Sequence, residues 1–257
     1  MINNNPVGLF DSGVGGSSIW SEVNKLLPHE NTIYLADSKN APYGQRSKSE
    51  IIALSKKNTE YLLERNCKLI IVACNTATTN AIDELREQYK VPFIGIEPAI
   101  KPAVLQSKTH TIGVLATKGT LTSELFSKAV ETYTGTRIIE QVGFDLVRLI
   151  ESGEMHSDRM RELLEEYMAP MVAGNIDHLV LGCTHYPYLI PQIRKLIPPN
   201  VQIIDSGEAV ARQTQSVLLK TGLSSDANPF HEFLTNGNPV VLQELIGPRL
   251  RVATKDF

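Results

Sequence analysis

Apolar and polar positions along the 257-residue chain fall into two alternating patterns. Short unbroken apolar runs rich in Val, Ile and Leu recur as "VGLF", "TIYLAD", "LIIVAC", "FIGIEP", "TIGVLAT", "RIIEQVG", "LVLGC" and "VQIID". Runs of that length without polar alternation predict strands buried on both faces of a parallel sheet. Between them, residues 48–65, 77–90, 122–134 and 158–172 carry apolar positions at helical spacing. Strands alternating with helices predict βαβ units, and therefore an α/β fold with mostly parallel sheets.

The pattern also repeats. Gly8 in "VGLFDSGVGG" and Gly113 in "IGVLATKGT" stand 105 positions apart, as do Ile33 and Ile138. Cys74 and Cys183 are separated by 109 positions, and Val91 and Val201 by 110. Four landmarks in one order at nearly one offset predict two similar α/β halves facing each other across an approximate two-fold axis. Parallel sheets bind ligands beyond the carboxyl ends of their strands. Cys74 and Cys183 both close apolar runs, so their thiols are expected on opposite walls of one cleft.

Composition narrows the function. The chain is 42% hydrophobic, enough for a substantial core, and its 25 basic and 28 acidic residues are spread along it with a net charge of −3. No basic tract offers itself to nucleic acid or to a membrane surface. No apolar run approaches a membrane span, and "MINNNPVGLF" lacks the charged and apolar segments of a secretory signal, so a cytoplasmic protein is expected. An odd number of cysteines, Cys67, Cys74 and Cys183, predicts free thiols rather than a disulfide framework.

Cys74 precedes Asn75, Thr76, Thr78 and Thr79 at a predicted helix start, where free N–H groups and the helix dipole favour a thiolate. Cys183 precedes Thr184, His185 and Tyr186, with Pro187 and Pro191 marking a second helix start. Cys67 has no polar surroundings and reads as an apolar filler. The turn "FDSGVGG" lacks both the dinucleotide glycine spacing and a Walker lysine. Its N–H groups are expected to grip a carboxylate, with Ser12 at the mouth and Asp11 either capping a helix or partnering the first thiol. Pro42, Tyr43 and Gly44 form a turn on the cleft side, and Thr117 and Thr120 in "ATKGT" offer hydroxyls to the same cleft. Zinc held by Cys74, Cys183, His185 and Asp11 is disfavoured for want of a close ligand pair, and no metal is expected.

Two thiols facing one small polar site suit removal of a proton from one face of a carbon and return of a proton to the other. That is racemisation without a cofactor, one cysteine acting as thiolate base and the other as thiol acid. A non-catalytic two-lobed amino-acid-binding protein is the alternative of another class, and it has no use for the paired thiols.

"VACNTAT" at 72–78 and "LVLGCTHYP" at 179–187 resemble the paired cysteine signatures of the aspartate/glutamate racemase family. "FDSGVGG" and "PYG" are similar to its glutamate-specific members, and the resemblance covers nearly the whole chain. It implies interconversion of L- and D-glutamate without pyridoxal phosphate, supplying D-glutamate for peptidoglycan. An aspartate-specific or other amino-acid racemase of the family is the alternative; aspartate-specific relatives tend to carry an acidic residue where His185 stands.

By resemblance, Cys74 deprotonates the D-isomer and Cys183 the L-isomer. Asp11 supports Cys74, His185 supports Cys183 and contacts substrate, and Glu151 in "LVRLIESGE" assists. Ser12, Pro42, Tyr43, Gly44, Asn75, Thr76, Thr117, Thr120 and Thr184 form the glutamate pocket, together with Asp11 and His185. The resemblance also implies a first domain of residues 1–97 plus 208–257, a second of 98–207, and an active site between them. A homodimer is the expected assembly. Ser17, Ser18 and Trp20 after "GVGG", and "TNG" at 235–237, depart from the usual pattern. The N-terminus is too short to carry the extension that binds a peptidoglycan-precursor activator in some relatives, so activation of that type is not expected.

Overall fold

The computed structural model describes residues 3–225 and 228–257; positions 1, 2, 226 and 227, inside the expected first domain, lie outside the described residues. Eight strands follow the eight apolar runs: β1 Val7–Asp11, β2 Thr32–Ala36, β3 Leu69–Val72, β4 Phe93–Gly95, β5 Thr111–Ala116, β6 Arg137–Val142, β7 His178–Gly182 and β8 Gln202–Ile204. Two more, β9 His231–Thr235 and β10 Val252–Thr254, come from a stretch in which no strand was predicted.

The strands make two sheets, ordered β10-β9-β2-β1-β3-β4 and β6-β5-β7-β8, and every pairing is parallel. Stripped of β9 and β10, the first sheet has the strand order of the second. The expected repeat is thus a repeat of topology. Its register differs by one residue: Gly8 pairs with Ile33, whereas Gly113 pairs with Ile139 rather than Ile138.

Continuous apolar runs work here because helices cover both faces of the central strands. All of β1, β2, β3 and β7 is buried. β6 is a correction to the expected buried strand: it is an edge, and each of its residues is exposed or half-buried. The helix expected over 122–134 is present but shorter, Glu124–Glu131, because the Ser123 hydroxyl caps its start by accepting from the Phe126 N–H; a separate helical turn, Lys118–Leu121, precedes it.

β9 enters by packing as well as by hydrogen bonding. It pairs with β2 from Thr32↔His231 to Ala36↔Thr235, and Phe233 stacks edge-on against Trp20 at 4.7 Å. Trp20 lies on helix Ser17–Leu26, which follows the glycine turn and packs on helix Gly207–Thr221. Among the described residues no helix is long and apolar enough to cross a membrane.

Candidate active site

The carboxyl ends of β1, β3, β5 and β7 converge on one small, tight cavity. Ser12, Pro42, Tyr43, Gly44, Cys74, Asn75, Thr76, Thr117, Val147, Cys183, Thr184 and His185 line it. The two thiols that the repeat places on opposite walls therefore share one small space. No Lys or Arg lines it. An anionic ligand there meets neutral hydroxyl, amide and backbone donors, with His185 as the one side chain able to carry positive charge.

Cys74 is the N-cap of helix Asn75–Gln88, its Sγ accepting from the Ala77 N–H at 3.5 Å and lying 3.7 Å from Ser12 Oγ. The helix start is as expected, but the thiolate is not favoured. Complete burial pushes the Cys74 thiol well up, Asp11 pushes it further, and the donors from Ala77 and Ser12 only partly offset this. Cys74 thus carries its proton in the ligand-free protein. Cys67 is buried away from the cavity, with burial pushing its thiol up to about 12.

The second thiol departs from the expected helix start. After Cys183 the chain makes a 3₁₀ turn, Tyr186–Leu189, and then a single α-helical turn, Ile190–Ile193, because Pro187 and Pro191 remove the N–H groups a longer first helix would use. Its polar partner is a side chain, His185 Nδ1, 3.7 Å from Cys183 Sγ.

His185 Nε2 in turn sits 2.6 Å from Glu151 Oε1. Gly15 N lies 3.2 Å from the same nitrogen, but with Glu151 ionised the shorter contact requires the ring nitrogen to carry a proton. Glu151 also accepts from the Val14 N–H at 2.7 Å and from Ser38 Oγ at 2.9 Å. The glycine turn therefore does grip a carboxylate, but the carboxylate is the protein's own. A Cβ on Gly13 would stand 1.8 Å from Glu151 Oε1, and one on Gly15 would stand 2.2 Å from His185 Nδ1, so both positions exclude a side chain.

Asp11 is fully buried and caps no helix; Gly16 holds the N-cap position of Ser17–Leu26. One Asp11 oxygen accepts from Ser12 Oγ at 2.9 Å and the other from Thr184 Oγ1 at 2.8 Å, so it reaches behind both thiols. Asp11, Thr120 and Glu151 stand one layer behind the cavity wall. Thr120 acts through Thr117, whose Oγ1 is 3.0 Å from that of Thr120 and 2.8 Å from that of Thr76. Val147 and Ser38 were not anticipated. Val147 is an ordinary apolar position of helix Leu146–Glu151, and Ser38 lies between two noted motifs with no signal of its own.

Asn75 stands out among these side chains. It is 2% exposed, lines the cavity, and neither its Nδ2 nor its Oδ1 has a hydrogen-bond partner. A buried amide left unpaired costs about 1–3 kcal/mol per group. Such a donor and acceptor are satisfied by a ligand that offers both functions, as an amino acid does through its carboxylate and ammonium. Among the described residues no group of three or more His, Cys, Asp or Glu side chains could hold a metal ion.

His185 holds its proton well above the usual imidazole range. Burial alone would lower it, but the hydrogen bonds and charges of Cys183 and Glu151 more than reverse that. The resulting stability is complete below about pH 6.5, the unfolded value, and is lost as pH rises through the higher folded value. The urea midpoint is expected to fall as pH rises above about 6.5, the unfolded value, and His185→Gln to remove that part of the slope. An unchanged slope in the variant would assign the titration to another group.

Residues 17–214 match the sequence pattern of the Asp/Glu/Hydantoin racemase family. The glutamate racemase of Herpetosiphon aurantiacus is 47% identical over 241 residues, covering 93% of this chain and 95% of that protein. A crystal structure of a Bacillus anthracis glutamate racemase superposes with a TM-score of 0.89 at 31% identity, covering 99% of this chain and 98% of that one. The Francisella tularensis glutamate racemase, solved with D-glutamate, gives a TM-score of 0.84 at 28% identity and covers 98% of each chain. Motifs, fold and likenesses agree that the chain belongs to the Asp/Glu/Hydantoin racemase family and is a racemase.

Proposed function

We propose that the protein interconverts L- and D-glutamate by a cofactor-independent, two-cysteine mechanism. The observation that carries this reading is the single small cavity bounded by both thiols and by the unpaired amide of Asn75. The relatives named above are glutamate racemases, and one of them was solved with D-glutamate.

With L-glutamate bound, Cys183 as thiolate takes the α-proton, and Cys74 as thiol delivers its own proton to the opposite face. Electrons and protons balance: one C–H bond breaks, one forms, and the two sulfurs exchange protonation states. The proton that the free protein keeps on Cys74 suits this direction, and the His185 donor beside Cys183 steadies charge on that sulfur. The reverse direction starts from the exchanged states. Asn75, Thr76, Thr117 and Thr184, with the Pro42–Gly44 backbone, hold the substrate, while Asp11 and Glu151 orient Ser12, Thr184 and His185 from behind.

This reading divides the chain into residues 1–97 plus 208–257 and residues 98–207, a division supported by β9 and β10 joining the first sheet. It extends to a cytoplasmic homodimer that supplies D-glutamate for peptidoglycan. The direct test follows optical activity of L-glutamate and of L-aspartate in deuterated water without added cofactor. Glutamate should racemise with deuterium entering the product α-carbon before it appears in recovered substrate, and aspartate should be at least about 10²-fold slower. No racemisation of either would sink the reading, and early label in both enantiomers would replace two bases by one.

A further inference from the structure

We infer that Ser38, clamped by Asn236, is a positioning residue for the Glu151–His185–Cys183 chain. The inference rests on the racemase reading of that site. Ser38 Oγ donates to Glu151 Oε2 at 2.9 Å, while the other oxygen, Oε1, faces His185 Nε2 at 2.6 Å. One carboxylate is thus held at two ends, and rotating it to release Ser38 would also move Oε1 off the imidazole.

Ser38 is itself fixed by a residue nearly two hundred positions away. The Asn236 side chain holds both neighbours of Ser38: its Oδ1 accepts from the Lys39 N–H at 3.0 Å, and its Nδ2 donates to Asp37 Oδ1 at 2.5 Å. Asn40 Nδ2 donates to the same Asp37 oxygen at 2.8 Å. The other Asp37 oxygen accepts from Tyr43 OH at 2.5 Å, and Tyr43 lines the cavity. Asn236 belongs to the "TNG" turn just after β9, whose departure from the family pattern is thereby given a task. A three-residue turn, Ser38–Asn40, is pinned on one side to the returning segment and on the other to the carboxylate that orients the imidazole.

Ser38 makes no part of the cavity wall, so its removal should leave substrate affinity nearly alone and act on turnover. The charged and titratable groups facing His185 are Glu151, Cys183 and Asp11, with the Tyr34 phenol close to Glu151 and Asp11. Of these, only Glu151 receives the Ser38 hydroxyl. A carboxylate freed from Ser38 spends time away from Nε2, so the imidazolium should lose its proton at lower pH.

The test compares wild type with Ser38→Ala, Ser38→Thr and Asn236→Ala, reading kcat and KM in both directions and the His185 titration by ¹⁵N NMR, assigned with His185→Gln. Ser38→Ala should lose about tenfold in kcat with KM within about twofold, and His185 should deprotonate at lower pH. Ser38→Thr, which keeps the hydroxyl, should restore both, and Asn236→Ala should move both in the direction of Ser38→Ala. Unchanged turnover and titration in Ser38→Ala would overturn the inference, as would a Ser38→Thr variant equally impaired at native thermal stability. If Ser38→Ala does not fold, Asn236→Ala and Ser38→Thr are read against the same two observables. A wild type that does not racemise glutamate while its His185 titration responds as described would sink the proposed function and leave the positioning role standing.

Discussion

Replacing either cavity cysteine by serine is expected to lower racemisation by about 10³-fold or more, in both directions. Serine keeps a hydroxyl that can donate, but near neutral pH it is a far poorer base than a thiol, and each direction needs one base and one acid. The two variants should nevertheless keep opposite half-reactions. On 3-chloroglutamate, abstraction of the α-proton with loss of chloride requires only the base, so Cys183→Ser should still eliminate from the D-isomer through Cys74, and Cys74→Ser from the L-isomer through Cys183. Chloride release separates the two, and the reverse pairing would exchange the assignment of faces. Full racemase activity in either variant would exclude the two-thiol mechanism. Cys67→Ser serves as the comparison, since its thiol lies outside the cavity wall.

Asp11→Asn should lower kcat by about 10²-fold without lowering stability. Asp11 accepts from Ser12 on one side and Thr184 on the other, and an amide can accept on only one of them. Burial raises the Asp11 carboxyl above its ordinary value, partly countered by His185, Thr184 and Ser12. A raised carboxyl favours the folded state only while protonated, and that contribution is lost as pH rises through the folded value. Near neutrality the buried charge therefore costs stability, and asparagine removes that cost. The loss should be larger for D- to L-glutamate, where Cys74, linked to Asp11 through Ser12, is the base. Equal losses in all four kinetic parameters would argue that Asp11 only shapes the turn, and a lowered melting temperature would argue that its charge is paired well enough to stabilise.

The paired thiols were legible because each stands where an unbroken apolar run turns polar, and the spacing of the runs repeats. The two sheets of like order follow from the same pattern. The behaviour of Cys74 was not legible: a helix start can be read from Asn75 onward, but the burial that outweighs it depends on the opposite wall. Nor was the partner of the glycine turn. Val14, Ser38, Glu151 and His185 meet through single hydrogen bonds between loops far apart in sequence, and such bonds leave no periodicity to find. Edge strands such as β6, half exposed, were harder to grade than central ones, and β9 was missed because "HEFLT" is too short and too polar at its start to stand out.

The insertion of β9 beside β2 has a consequence for how the protein is made. At about 5–20 residues per second, roughly 10–40 s of synthesis separate β2 from the strand that covers its edge. Throughout that time the nascent chain exposes the backbone of "TIYLA", a row of unpaired donors and acceptors with apolar side chains on both faces. Asn236 leaves the ribosome with β9, so the turn carrying Ser38 is also among the last parts to be secured. A truncated translation product would therefore be sticky and would hold Ser38 loosely, and holdase chaperones are expected to engage stalled chains ending before residue 231 far more than chains released with β9 in place.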